Sequence, residues 1–245
     1  MRYLVLADIH ANGHALEAVL ADAQVRGFDQ ILLLGDLIGY GAQPNEVLDR
    51  LASVPVAAAI RGNHDKVAVG LDDADAFNPA AKQGAEWTQH ALTPAHAELV
   101  RALPRGPLIV TEWIEICHGS PYDEDAYVLD ALDALNALRA ARRPLCLFGH
   151  SHAPTAFLFA DNELHCRETP EDFVLQVMPE WTCLVNVGSV GQPRDGDPRA
   201  AYGIADDDRK DVSFFRVPYD VAAAQQAIRD AGLPDALAKR LALGR

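Results

Sequence analysis

Five short fragments of this sequence carry side chains that bind transition metals: Asp8-Ile9-His10, Gly35-Asp36, Gly62-Asn63-His64-Asp65, His118-Gly119 and Gly149-His150-Ser151-His152. Imidazole and carboxylate together select Mn, Fe, Zn, Ni or Co over Ca, which prefers oxygen alone. Asp8, His10, Asp36, Asn63, His118, His150 and His152 are too many ligands for one tetrahedral ion. They suit two ions sharing a carboxylate. Two ions ~3.5–4 Å apart can clamp the attacking and leaving oxygens of an in-line displacement at phosphorus. Each fragment alone has an ordinary reading. Gly-Asp after a strand is commonly a turn, and His64 could be a hydrogen-bonded loop residue. The joint pattern is what favours a metal site, because every fragment follows a run that reads as a strand.

Those runs set the architecture. Residues 2–7, 30–34 and 55–60 read as strands, separated by helices over 14–26 and 45–52, with Asn45 as N-cap after Pro44. This β-α-β-α-β order favours a parallel sheet, whose strand ends gather ligands on one side. Residues 79–103 read as helical with a break near Thr93-Pro94. A hairpin-like strand pair over 107–111 and 113–117 and a helix over about 125–142 follow. Further strands are expected at 144–148, 154–160, 163–167, 182–187, 200–205 and 211–217. A C-terminal helical segment, about 219–243, breaks at Gly232-Leu233-Pro234. The expected architecture is one α/β domain over 1–245, two sheets face to face flanked by helices.

The ordered motif set resembles that of the calcineurin-like metallophosphoesterases: D-x-H, GD, GNH[D/E], H, GHxH. The stretches GDLIGYGAQPNEV and LVNVGSVGQPRDGDPRAAY are similar to a small bacterial and archaeal branch of predicted phosphodiesterases that includes diadenosine tetraphosphate hydrolases. The resemblance covers about residues 2–217. It implies a four-layer αββα sandwich of two mixed sheets. It also implies two divalent transition-metal ions, manganese or iron foremost, with Ni, Co or Zn also suited. Asp8, His10 and His152 would hold one ion, Asn63, His118 and His150 the other, and Asp36 would bridge them. A hydroxide between the ions would be the nucleophile. His64 would be the catalytic residue that stabilises charge on phosphorus and protonates the leaving oxygen. The phosphoprotein-phosphatase branch continues GD as GDxxDRG, but here the stretch is Gly35-Asp36-Leu37-Ile38-Gly39-Tyr40-Gly41. The second Asp, which supports the catalytic His, and the phosphate-gripping Arg are both missing. Asp65 is a candidate to orient His64, unless it is a solvated loop acid. Ala11 stands where the small branch usually has Gly, a change expected to be tolerated.

Asn186, Ser189, Gln192 and Arg194 lie in a Gly-rich loop that could bind the substrate's phosphate or ribose, or form an ordinary turn. Asn12 and Tyr40 follow ligand motifs and could line the pocket. Trp87 and Trp113 read as core, and Asp206-Asp207-Asp208 as a hairpin turn. A formal net charge of −14 gives no general attraction to nucleic acid or anionic membrane, so a phosphorylated small-molecule or nucleotide substrate needs a local positive feature, which bound cations supply. No apolar run approaches the ~20 residues of a membrane span. The N-terminus meets Asp8 too soon for a signal peptide, and Cys117, Cys146, Cys166 and Cys183 show no CxxC spacing. Reduced thiols in a cytoplasmic protein are the expectation. The expected activity is hydrolysis of phosphodiesters or nucleoside polyphosphates. The alternatives are a small-metabolite phosphomonoesterase and a metal-binding interaction scaffold. The Leu/Ala face of the C-terminal segment could pack on its own domain or form a homo-oligomer.

Overall fold

The computed structural model describes residues 1–167, 169 and 171–245. In chain order its elements are β1 (Arg2–Leu6), α1 (Gly13–Arg26), β2 (Gln30–Leu33), α2 (Pro44–Ala52), β3 (Val56–Ala59), α3 (Asn63–Ala68), α4 (Pro79–Ala91), α5 (Pro94–Arg101), β4 (Leu108–Ile109) and β5 (Ile114–Ile116). There follow α6 (Ala131–Ala140), β6 (Leu145–Phe148), β7 (Thr155–Ala160), β8 (Glu163–Arg167), β9 (Val174–Gln176), β10 (Thr182–Asn186), β11 (Ala200–Asp206), β12 (Asp211–Val217), α7 (Val221–Asp230) and α8 (Asp235–Leu241). They form two six-stranded sheets, ordered β3-β2-β1-β11-β12-β9 and β4-β5-β6-β10-β7-β8. Both sheets are mixed. β1, β2 and β3 run parallel in the first, and β5, β6 and β10 in the second.

The period-2 alternation of strand side chains builds four layers. In β1 and its extension, Tyr3, Val5 and Ala7 join Leu32, Leu34, Ile114, Ile116, Leu145 and Leu147 in the core between the sheets. The alternate residues Leu4 and Leu6 face outward onto Leu16, Val19 and Leu20 of α1 and Val47 and Leu48 of α2. On the far side Cys146 and Phe148 of β6 pack with Ala134, Ala137 and Leu138 of α6. The C-terminal face, Ala224, Ile228, Leu233, Leu237, Ala238 and Leu241, packs on this chain's own Tyr40 and Ala81. Trp113 is buried between the sheets and Trp87 is half-buried against the C-terminal helices. Among the described residues no helix is long and apolar enough to cross a membrane. The four cysteines are free thiols, and Cys117 and Cys146 are buried with their Sγ atoms 3.6 Å apart.

Two local expectations need correction, and two short elements are additional. Gln43, not Asn45, is the N-cap of α2, with Pro44 in its first turn. The Asn45 amide instead donates to the Ala91 carbonyl at 2.8 Å and accepts from the Thr93 N–H at 3.0 Å, tying α2 to the break between α4 and α5. The sixth helix begins at 131 rather than 125, because the Asp130 carboxylate caps it through the Leu132 and Asp133 N–H groups. Upstream, Glu124 and Asp125 are drawn away into ion pairs with Lys66. Residues 63–68, to which the sequence pattern assigns no element, form the short helix α3. The strand β9 is unanticipated, being three residues at a sheet edge. The Asp206–Asp208 stretch is the expected turn, between β11 and β12, with Asp206 Oδ1 accepting from the Asp208 and Arg209 N–H groups.

Candidate metal centre

Six parallel strands point their carboxyl ends at one crevice, three from each sheet. Asp8 and His10 leave β1, Asp36 leaves β2, and Asn63 and His64 open α3 after β3. His118 follows β5, and His150 and His152 follow β6. The connecting segments are laced by backbone bonds. The N–H groups of Asp8, His10 and Ala11 donate to the carbonyls of Gly35, Asp36 and Leu37, and the Gly149 N–H donates to His118. The ligand loops turn through the left-handed region at non-glycine residues: Asp8, His10, Ala11, Asp36, Tyr40, His150 and His152 have φ between 50° and 67°. Such strain concentrates at functional sites. Ala11, at φ 51°, occupies a conformation that glycine adopts more cheaply, so its methyl is accommodated at a cost. Close approach does require glycine at position 62, where a Cβ would meet Asp36 Oδ1 at 2.2 Å.

Asp8, His10, Asp36 and His152 each present a ligand atom within 4.8 Å of the others, and so do Asp36, His118 and His150. Asp36 belongs to both groups. Its Oδ1 accepts the His64 backbone N–H at 2.9 Å. Its Oδ2 is buried without a hydrogen-bond partner, 3.5 Å from both His10 Nε2 and His118 Nε2. His152 Nε2 lies 3.2 Å from His10 Nε2 and 3.5 Å from Asp8 Oδ1, and Asn63 Oδ1 lies 3.2 Å from His118 Nε2. Backbone carbonyls fix the tautomers. The Nδ1–H groups of His10, His118 and His152 face the Ile38, Leu34 and Gln192 carbonyls, leaving Nε2 as the lone pair turned inward. His150 is reversed: its Nε2 faces the Asp125 carbonyl at 3.1 Å, which leaves Nδ1 for the centre. The buried, orphaned Oδ2 and the inward lone pairs fit two cations bridged by Asp36.

The electrostatics agree with that fit. Burial pushes the Asp8 carboxyl up to about 7, against the pull of His118. Burial acts likewise on Asp36, but His118, His64 and His10 surround it and hold it well below the usual carboxylate range. Burial disfavours a charged His118, yet the adjoining Asp36 raises it to about 10. Burial drives His10 and His152 well below the imidazole range and His150 to about 3. Most of the imidazoles are thus neutral, as metal ligands would have to be, and a cation would displace the second His118 proton and take over the charge it carries.

His64 lies beside this cluster, its ring centroid 4.9 Å from His10, 4.2 Å from Tyr40 and 4.4 Å from Phe77. Asp65 does not orient it and is no solvated acid. Its fully buried carboxylate accepts from the Leu37, Ile38 and Gly62 N–H groups at 3.3, 3.2 and 2.9 Å. Asp65 therefore holds the loop after Asp36, whose Ile38 carbonyl faces His10. Ring packing between Tyr40 and Phe77 positions His64 instead. Asp65→Ala should strand three buried N–H groups and lower Tm by roughly 10 °C, at ~1–3 kcal/mol per orphaned group. An unchanged thermal unfolding curve would refute that role.

Three further residues also need reassignment. The Asn12 amide caps α1 through the Ala15 N–H and donates to the Gly191 carbonyl. Asn186 donates to the Gly149 carbonyl and to Ser151, and accepts from Gly188. Ser189 donates to the Asp8 carbonyl and accepts from Gln192. All three are buried and spent on bracing the ligand loops rather than free for substrate. Tyr40 and Arg194 keep a place beside the site. Local patterning missed Phe77 and Tyr127, whose ring stacks on His150 at 3.8 Å. They line a cavity of about 220 Å³ with Asn63 and His150. Lys66 is also new: it is buried and binds Asp125 at 2.6 Å, fastening the segment whose carbonyl aims His150.

Comparison with known proteins agrees with this architecture. An uncharacterised protein of Methanocaldococcus jannaschii is 33% identical over 258 residues, spanning 98% of this chain and 97% of that one. The crystal structure of a metallophosphoesterase from Sphaerobacter thermophilus superposes with a TM-score of 0.88 at 37% identity, covering 100% of this chain and 99% of that chain. A hypothetical protein from Pyrococcus horikoshii shares the fold, with a TM-score of 0.79 at 22% identity over 100% of this chain and 98% of that one. The model of the calcineurin-like phosphoesterase superfamily domain matches residues 1–210. The chain accordingly belongs to the calcineurin-like phosphoesterase superfamily, and its buried Asp/His cluster marks it as a metal-dependent phosphoester hydrolase.

Proposed function

We propose that the protein hydrolyses phosphodiesters or nucleoside polyphosphates at two divalent transition-metal ions, manganese or iron. The observation that carries this reading is Asp36 Oδ2, buried and unpartnered between two groups of ligand atoms. Asp8, His10 and His152 would hold one ion, Asn63, His118 and His150 the other, and Asp36 would serve both. When bound, the ions supply Lewis-acid polarisation of the phosphoryl group and a water acidified enough to attack near neutral pH.

The chain's own residues do the rest. Asp36 Oδ1 fastens the His64 backbone, and Tyr40 and Phe77 hold its ring. His64 Nδ1 is buried and turned toward Gly39, which leaves Nε2 to reach the leaving oxygen. Burial lowers His64 to about 4, so the resting ring is neutral. An anionic phosphoryl group beside it acts against that bias, toward the protonated form needed to stabilise charge and protonate the leaving group. The cavity walled by Phe77 and Tyr127 has room for a second ester substituent, which favours a diester over a small monoester.

Metal-stripped protein should regain hydrolysis of bis-p-nitrophenyl phosphate on addition of Mn²⁺ and turn over p-nitrophenyl phosphate more slowly. The reverse preference would establish a monoesterase. No turnover of either ester, with two ions bound per chain, would favour an interaction scaffold.

A further inference from the structure

A chain of net charge −14 must build any anion site locally. Most basic side chains near the crevice are neutralised: Arg61 and Lys66 pair with Glu124, Arg199 with Asp197 and Glu171, and Arg216 with Asp195. Two have no acidic side chain as partner. Among the described residues neither Arg194 nor Arg240 has an Asp or Glu carboxylate within 4.0 Å, and both guanidiniums lie over the ring of Tyr40, their Cζ atoms 5.8 and 5.5 Å from its centroid. The same ring touches His10 and His64, at 4.7 and 4.2 Å between centroids. Both charges thus stand one aromatic ring away from the metal ligands.

Their donors are largely uncommitted. A guanidinium offers five N–H groups. Arg194 spends Nη2 on the Tyr40 hydroxyl and Gln192 Oε1, and its Nε is buried without a partner. Arg240 commits Nε to the main-chain oxygen of Arg245, the last residue of the sequence, and keeps its Nη donors. Each is firmly mounted. The Arg194 backbone N–H donates to the His152 carbonyl at 3.2 Å. Arg240 rides on α8, whose Leu237, Ala238 and Leu241 pack beside Tyr40. Like charges sharing one buried ring repel each other, and burial together with Arg194 lowers the Arg240 pKa. An anion between them would relieve both.

The geometry points to a second anion subsite formed by Arg194 and Arg240, which takes the phosphoryl group next to the scissile one. It rests on the phosphoesterase reading of the crevice and narrows its substrate to compounds with a pyrophosphate linkage, the nucleoside polyphosphates. Planar guanidinium forks match phosphate oxygens in pairs, which a lysine would not do. Arg240 lies beyond residue 210, where the match to the family domain ends, so the C-terminal helices contribute specificity to a centre built by the rest of the chain.

Calorimetry on the metal-loaded protein tests this with inorganic phosphate and methylenediphosphonate, a non-hydrolysable pair of linked phosphoryl groups. The wild type should bind the diphosphonate at least about tenfold more tightly. Arg240→Gln should cut that ratio about tenfold, and Arg240→Lys by less, at unchanged Tm; tenfold is the usual worth of one charge-assisted contact. A ratio that survives intact in Arg240→Gln and in Arg194→Gln would belong to the metals alone and overturn the subsite, as would a wild type with no preference. Hydrolysis of bis-p-nitrophenyl phosphate by the same preparation is scored separately. Its absence would sink the diesterase reading without altering the binding ratio.

Discussion

Asp36→Asn should reduce turnover by about 10³-fold or more and lower bound metal from two ions per chain, because one substitution weakens both positions. Asparagine is nearly isosteric but cannot satisfy the site in either orientation. With its carbonyl on the His64 N–H, where Asp36 Oδ1 now accepts at 2.9 Å, the amide NH₂ replaces Oδ2. Donor hydrogens then face the His10 and His118 Nε2 atoms, both 3.5 Å away, in the space a cation would fill. With the amide flipped, the NH₂ confronts the His64 N–H, donor against donor. Neither arrangement supplies the negative charge that two shared cations need. Metal analysis of the purified variant, beside turnover on bis-p-nitrophenyl phosphate, checks this. Undiminished metal content would remove Asp36 from a bridging role.

His64→Ala should lower turnover by roughly 10²–10⁴-fold, the usual scale for acid–base catalysis, with both metals retained. Retention follows from its position: the ring packs against Tyr40, Phe77 and His10, and its N–H to Asp36 comes from the backbone and survives the substitution. The effect depends on the leaving group. Nitrophenolate departs with little help, so the deficit should be largest on an alkyl or nucleoside ester. Near-normal turnover on such a substrate would exclude His64 from protonating the leaving oxygen. Lost metal would show instead that His64 supports the ligand set.

The two expectations differ in how far local pattern carries them. Asp36, His10 and His118 are legible because each closes an apolar strand, and strand ends in parallel sheets converge. Even so, the sequence does not say which nitrogen of each imidazole faces inward. That depends on carbonyls far along the chain: Leu34 for His118, Gln192 for His152, and Asp125, reversed, for His150. Asp65 illustrates the same limit. As the neighbour of His64 it is the natural candidate to orient the ring. Yet α3 turns its carboxylate back onto the Leu37 and Ile38 N–H groups, 28 and 27 residues away.

From the amino-acid order alone came the buried strand at 2–7, but a run apolar on both faces does not say that Tyr3 and Val5 turn to the space between the sheets while Leu4 and Leu6 turn to α1 and α2. The ligand types and the strand ends that carry them were equally local, because periodicity and short motifs express chemistry within a few residues. The fold decided what meets across long separations. It placed Tyr127 on His150, packed Phe77 against His64, spent Asn12, Asn186 and Ser189 on bracing loops, and carried Arg240 from the last helix to the ring of Tyr40. Those contacts join segments that share no periodicity and no motif, so only burial of the common core and the packing of α7 and α8 against it bring them together.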